Sequence, residues 1–217
     1  MPGYEVKLQR VAVAGGDDLE IRSLLDRLQY ADPDGAAALA CISPASWPLF
    51  GQLWPSSQVL AGLMQDWQLG ARRFLEIGCG LALASLVVHR RGGDITASDC
   101  HPLAETFLID NLRRNGLPPM KYATGNWLRS NPSLGRFDVL IGSDLLYERD
   151  HPEQLAEFIE LHAEAGADVL IIDPNRGHRP AFTRCMHRVG FTLTEARTIT
   201  SGYRGQVLRY RRAAAIT

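Results

Sequence analysis

Phe74-Leu75-Glu76-Ile77-Gly78-Cys79-Gly80-Leu81-Ala82-Leu83-Ala84-Ser85 decides the fold. An apolar run ends on an acid, two glycines follow one residue apart, and small and apolar residues then open a helix, the pattern of strand, tight turn and helix. Gly78 and Gly80 have no Cβ, so the turn is free to take positive φ and to let a ligand approach its backbone. The amides that open the helix point at that ligand. A dinucleotide site wants a third glycine three residues after Gly80; Leu83 stands there and disfavours a pyrophosphate. Glu76 suggests instead a ligand with a positive group. The plainer reading of the same stretch is a glycine-rich turn without a ligand.

Outward from this turn, strands and helices alternate. Strands are expected at 73–77, 94–98, 120–123, 137–142 and 167–173, and helices at about 81–91, 102–115, 151–165 and 178–189. Two further β runs, 191–194 and 206–210, flank Ser201-Gly202-Tyr203-Arg204-Gly205 and should pair antiparallel at the sheet edge. The sum is an α/β protein: a Rossmann-like, seven-stranded, mostly parallel sheet with helices on both faces and an antiparallel C-terminal pair. Residues 71–217 form this domain, and 1–70 an extension packed on the core and the ligand mouth.

Within the extension, 4–13 alternates loosely, as one bent strand or a short hairpin. Asp17 and Asp18 are expected to open a helix carrying Ile21, Leu24, Leu25 and Leu28, stopped by Ala31-Asp32-Pro33-Asp34-Gly35. Ser43 to Trp54, with Pro44, Trp47, Pro48, Phe50 and Gly51, reads as an ordered irregular loop. Pro55-Ser56-Ser57 then starts a helix bearing Val59, Leu60, Leu63, Met64 and Trp67. Core packing accounts for Trp47 as well as any other role; Trp54, just before that helix, is placed at the ligand mouth.

Composition narrows the classes. A formal net charge of -1 provides no global basic field for nucleic acid, and hydrophobic and charged contents of 46% and 22% are ordinary for a globular protein. Cys41, Cys79, Cys100 and Cys185 show neither metal-ligand nor disulfide spacing, and no metal is expected. Without an apolar h-region after Met1-Pro2-Gly3 or a run of spanning length, a soluble cytoplasmic protein with no membrane partner is expected.

In open α/β sheets ligands sit at the carboxyl ends of the strands. The second strand ends in Asp99, suited to accept both hydroxyls of a ribose, or else to cap the helix near Pro102. After the third come Asn126 and Trp127, an amide and an apolar wall for an adenine, or simply a buried loop indole. The fourth ends in Ser143-Asp144-Leu145-Leu146-Tyr147, and the fifth in Asp173-Pro174-Asn175-Arg176. Arg176 reads as an exposed cation able to steer an acidic surface. His89, His101, His178 and His187 lack metal spacing and read as surface or core histidines.

Taken in order, Glu76-x-Gly78-x-Gly80, Asp99, Asn126-Trp127 and Asp144-x-x-Tyr147 resemble the seven-strand class I methyltransferases. More narrowly they resemble the protein-lysine methyltransferases with Asp-x-x-Tyr after strand four. That branch includes enzymes acting on the electron-transfer flavoprotein β subunit and bacterial nicotinamide N-methylase-like proteins. The Trp47 to Ser56 segment and the Asp173 to Arg176 turn are similar to segments of the same branch, with Asn175 replacing a glycine; the likeness runs from about 45 to 200. It implies S-adenosyl-L-methionine as cofactor, whose ammonium and sulfonium answer the positive group that Glu76 suggests. It implies cofactor contacts from Trp54, Glu76, Gly78, Gly80, Asp99, Cys100, Asn126, Trp127 and Ser143, with Asp144 and Tyr147 at the chemistry. Leu145 and Leu146 stand where enzymes acting on amide or base nitrogens have two prolines, which disfavours adenine or glutamine. A lysine of a protein substrate is the expected acceptor; a small amine or pyridine, or a module that binds cofactor without catalysis, are the alternatives.

Overall fold

The computed structural model describes residues 3–129, 131–199 and 202–213. In chain order the elements are β1 (Val6–Val11), β2 (Leu19–Leu24), α1 (Ala36–Leu39), a 3-10 turn (Trp47–Gly51), α2 (Pro55–Asp66), β3 (Arg73–Ile77), α3 (Leu83–Arg90), β4 (Asp94–Asp99), α4 (Ala104–Arg114) and β5 (Lys121–Thr124). A second 3-10 turn (Pro132–Leu134) leads to β6 (Phe137–Ser143), α5 (His151–His162), β7 (Ala163–Asp173), α6 (Arg179–Arg188), β8 (Phe191–Ile199) and β9 (Gly205–Arg212). Of the stretches read above, Met1, Pro2 and Ser201 lie outside the described residues.

The seven-stranded sheet has the order β5-β4-β3-β6-β7-β9-β8. β3, β4, β5, β6 and β7 are mutually parallel, and β9 inserts antiparallel between β7 and β8. Strand order reverses between β3 and β6, and that crevice is where such sheets take ligands. β3, β6 and β7 are buried on both faces, which explains their continuous apolar runs. β7 starts at Ala163, so α5 ends at His162, three residues before the expected 165.

One expectation fails. The stretch opened by Asp17 and Asp18 is the strand β2, paired antiparallel with β1, and not a helix. Leu19, Ile21 and Ser23 are buried while Glu20 is exposed, a period of two that outweighs the helical spacing of Ile21, Leu24, Leu25 and Leu28. Tertiary partners complete the strand. Asn111 and Asn115, one turn apart on α4, act as a substitute neighbouring strand. Arg22 N–H donates to Asn111 Oδ1 (2.7 Å) and Glu20 N–H to Asn115 Oδ1 (2.9 Å), while Asn115 Nδ2 donates back to Glu20 O (2.8 Å). Leu25 and Leu28 are exposed.

One hydrophobic core joins the extension to the sheet: Val11, Leu19, Ile21, Trp47 and Leu60 share it with Phe74, Leu86, Phe107 and Val139. Trp47 is a core residue, 1% exposed, with ring contacts to Tyr4, Phe50 and His101. No helix among the described residues is long and apolar enough to cross a membrane.

Candidate active site

The turn after β3 takes positive φ at Gly78 (57°), Gly80 (51°) and Ala82 (60°). The protein itself crowds it. A Cβ on Gly78 would lie 2.7 Å from Leu145 Cδ2, and one on Gly80 would lie 2.8 Å from the carbonyl oxygen of Phe50. Leu145 also fills the space over Gly142, so the residue standing in place of a proline packs the turn against the end of β6.

Glu76, 2% exposed, accepts from the Ser85 amide (2.8 Å) and from the Ser85 hydroxyl. Ser85 lies in the first turn of α3, where amides have no helical partner, so Glu76 caps α3 from the neighbouring strand. Burial pushes its pKa up to about 7 against the two Ser85 bonds. Asp99, 8% exposed, accepts from Gly80 N–H at Oδ2 (2.8 Å) and from His101 N–H at Oδ1 (2.9 Å), tying β4 to the glycine turn. Burial raises its pKa as well. Beside it, Cys100 has its thiol pushed up to about 12 by burial and stays neutral.

Trp54 is held by its own loop: its indole Nε1 donates to Leu49 O (2.9 Å), and the Arg27 guanidinium lies 4.5 Å over its ring. The residue of that loop seen against the glycine turn is Phe50, whose ring stacks on His101 at 3.7 Å. Asn126 uses its Oδ1 to accept from Leu128 N–H (2.9 Å) in its own turn. Trp127 meets the edge of His151 at 5.2 Å, and Tyr147 meets the same ring at 4.4 Å. His151, whose Nδ1 donates to Leu145 O (2.7 Å), thus joins the two aromatic residues read from the sequence. Ser143 is the half-buried last residue of β6.

Asp144 follows at φ 57° with its amide donating to Ile172 O (2.9 Å). A non-glycine residue there costs about 1–3 kcal/mol unless its surroundings impose it. Arg176 forks onto its carboxylate, Nε to Oδ1 at 2.7 Å and the second nitrogen to Oδ2 at 3.0 Å. Arg176 is the exposed cation expected from sequence, its side chain 40% exposed, and two of its nitrogens also pair with Asp144. Asp173 ends β7 next to this pair, 1% exposed, accepting from Asn175 N–H at Oδ2 (3.1 Å). Tyr203, before β9, shares a hydrogen bond with Ser56 of α2 (2.9 Å) and so joins the extension to this rim.

The structure brings Glu76, Gly78, Gly80, Asp99, Trp127, Asp144 and Tyr147 to one end of the sheet. Phe50, Ser85, His151 and Tyr203 were not read as site residues from sequence: Phe50 and Tyr203 act through partners remote in the chain, and Ser85 and His151 through side-chain contacts that spacing alone does not mark. No group of three or more His, Cys, Asp or Glu residues with metal-binding geometry occurs among the described residues.

A parallel sheet reversing at β3 and β6, with an antiparallel β9 inserted before β8, is the fold of the class I S-adenosylmethionine-dependent methyltransferases. Magnesium protoporphyrin IX methyltransferase from Synechocystis PCC 6803, solved with bound SAM, superposes with a TM-score of 0.58 over 75% of this chain and 86% of its own, at 16% identity. In sequence, the chain is similar to the electron transfer flavoprotein beta subunit lysine methyltransferase of Mus musculus, 30% identical over 137 residues, covering 61% of this chain and 53% of the relative. It is also similar to protein N-lysine methyltransferase METTL21A of Xenopus tropicalis, 28% identical over 126 residues, covering 56% and 58%. The chain thus spans little more than half the length of these relatives. No family model matches it.

Proposed function

We propose that the protein is an S-adenosylmethionine-dependent N-methyltransferase whose acceptor is a lysine of another protein. The observation that carries the reading is Asp144, held at positive φ with Arg176 on its carboxylate, three residues before Tyr147 and beside the glycine turn, in a chain similar to two protein-lysine methyltransferases. The residues of the cofactor half suit that cofactor: a glycine turn at positive φ, a carboxylate at the end of β4 and the Trp127 ring. Bound there, S-adenosylmethionine would supply an electrophilic methyl group carried on its sulfonium.

The chain's own task is orientation, for which about 7–11 kcal/mol is available in favourable cases. It must also receive an amine without its proton. A lysine of pKa about 10.4 costs about 4–5 kcal/mol to hold neutral near pH 7. Left alone, the Asp144 carboxylate would favour the ammonium and raise that cost. The Arg176 fork cancels its charge, so Asp144 serves as a wall that does not hold the substrate protonated. Tyr147, 41% exposed, offers an aromatic face at the same mouth. We also assign the protein to the cytoplasm, in keeping with four unpaired cysteines.

The test is incubation of electron transfer flavoprotein β subunit, and separately of a cell extract, with enzyme and methyl-labelled cofactor. Label on a discrete protein band, on lysine by mass spectrometry, is expected. Label confined to the small-molecule fraction, nicotinamide included, would replace the lysine reading with that of a small-amine methyltransferase.

A further inference from the structure

The acceptor rim carries two carboxylates, and only one of them is satisfied. Both oxygens of Asp144 are taken by Arg176. Asp173, one strand further from the glycine turn, has Oδ2 engaged by Asn175 N–H, while Oδ1 is buried with no hydrogen-bond partner. A buried carboxylate oxygen left without a donor is costly, more so than a neutral group. Polar atoms kept in that condition call for an explanation, and a site that receives a donor from outside provides one.

Position favours the methyl acceptor over the cofactor as that donor. The sheet runs β3, β6, β7 from the glycine turn outward, so Asp173 lies beyond Asp144 on the side away from Asp99. Resting on the lysine reading above, we propose that Asp173 is the base of the acceptor site: its free Oδ1 takes the hydrogen bond, and then a proton, of the incoming ammonium group. In that step an N–H bond breaks, an O–H bond forms on Oδ1, and the nitrogen keeps the electron pair it needs for attack. The proton leaves Asp173 to water after the product departs.

The surroundings of Asp173 suit both halves of this cycle. Burial is the main cause that raises its pKa, and the Asp144 carboxylate adds to it, whereas Arg176 and the Asn175 amide oppose. The Asp173 charge also acts on Tyr203, in the loop before β9, and Tyr210, on β9; burial raises the pKa of both and they stay neutral. The protonated acid is therefore less disfavoured than at the surface, and the gap to a lysine is narrowed from the carboxylate side.

Asp173→Asn keeps the shape and an acceptor for Asn175 N–H. Three measurements test it against wild type. With electron transfer flavoprotein β subunit as the protein probe, kcat should fall about 10- to 100-fold, the scale of a lost hydrogen bond to a charged group. It should also change from a plateau near neutral pH to a rise of roughly tenfold per pH unit, as solvent takes over the deprotonation. With the demethylated cofactor bound, N-α-acetyl-lysine methylamide should perturb the Asp173 carboxyl carbon signal in wild type, while the norleucine analogue should not. The melting temperature of the variant should equal or exceed that of wild type, because a buried charge is removed without loss of a bond. If wild type labels neither the flavoprotein subunit nor any protein of the extract yet the lysine probe perturbs Asp173, the protein-substrate reading fails and the Asp173 assignment stands. An unperturbed carboxyl signal, an unchanged pH profile, or a variant that no longer folds or binds the demethylated cofactor overturns the assignment.

Discussion

The turn after β3 and the rim after β6 and β7 both hold buried carboxylates, and they satisfy them by different means. At the turn, Glu76 and Asp99 accept from backbone amides of Ser85, Gly80 and His101, groups fixed by α3 and by the turn itself. At the rim, Asp144 depends on a long side chain from another loop, and Asp173 has one oxygen with no donor. Backbone amides cannot leave, so the first region is preorganised for a ligand that is the same in every cycle. At the rim a side-chain guanidinium and an acceptor without a donor take the place of amides. The contrast teaches that the turn satisfies its acids through the backbone and the rim through side chains, and on the reading proposed above the first suits a constant cofactor and the second a guest that brings its own donor.

The largest effect expected from this contrast is on stability as a function of pH. Glu76 has a pKa of about 7 in the folded chain against 4.5 as its ordinary value. Because the folded value is the higher one, the stabilisation by its protonated form is complete below 4.5 and is lost as pH rises through about 7. The gap corresponds to about 3 kcal/mol. Urea unfolding of wild type and Glu76→Gln at about pH 4 and about pH 8 should show the wild-type advantage shrinking by that amount. A pH-independent difference would mean that burial at the end of β3 does not raise the Glu76 pKa above its ordinary value.

Next in size is Asp99→Ala, which leaves the Gly80 and His101 amides without their acceptor and removes the carboxylate assigned to the ribose. Calorimetry should show cofactor affinity reduced by about 2 kcal/mol, about 30-fold, and no binding of NAD by either protein. Unchanged affinity in a folded variant would reduce Asp99 to a cap for the helix that follows. The smallest effect is a control remote from both regions. Asn115→Ala removes two bonds to the edge of β2 and should cost about 1 kcal/mol of stability, read as a drop of a few degrees in melting temperature, with cofactor affinity and turnover unaltered. A change in either would couple the hairpin to the site and blur the comparison.

Features carried by short-range chemistry were legible in the chain. β3, the Gly78 and Gly80 turn, α3 and the antiparallel end of the sheet follow from apolar runs, glycine placement and turn residues within a few positions of one another. β2 was not legible, since its apolar residues fit a helix as well as a strand and the deciding partners, Asn111 and Asn115, lie 89 and 95 residues along the chain from the amides they bind. Arg176 is exposed, as its polar turn suggests, but its ion pair was not legible, because Asp144 lies 32 residues earlier in the chain.

By itself, then, the sequence determined the class of fold and the residues that end each strand, because strand period, helix period and glycine conformation are local properties of the backbone. It also carried which acid or aromatic follows each strand, although the order of those residues along the sheet edge is that of the folded sheet, β5-β4-β3-β6-β7-β9-β8. Only the tertiary structure decided what each acid does. Whether a carboxylate caps a helix, ties two turns, clasps an arginine or waits with a free oxygen depends on which donors the fold brings within about 3 Å, a range of contact that spacing along the chain does not encode.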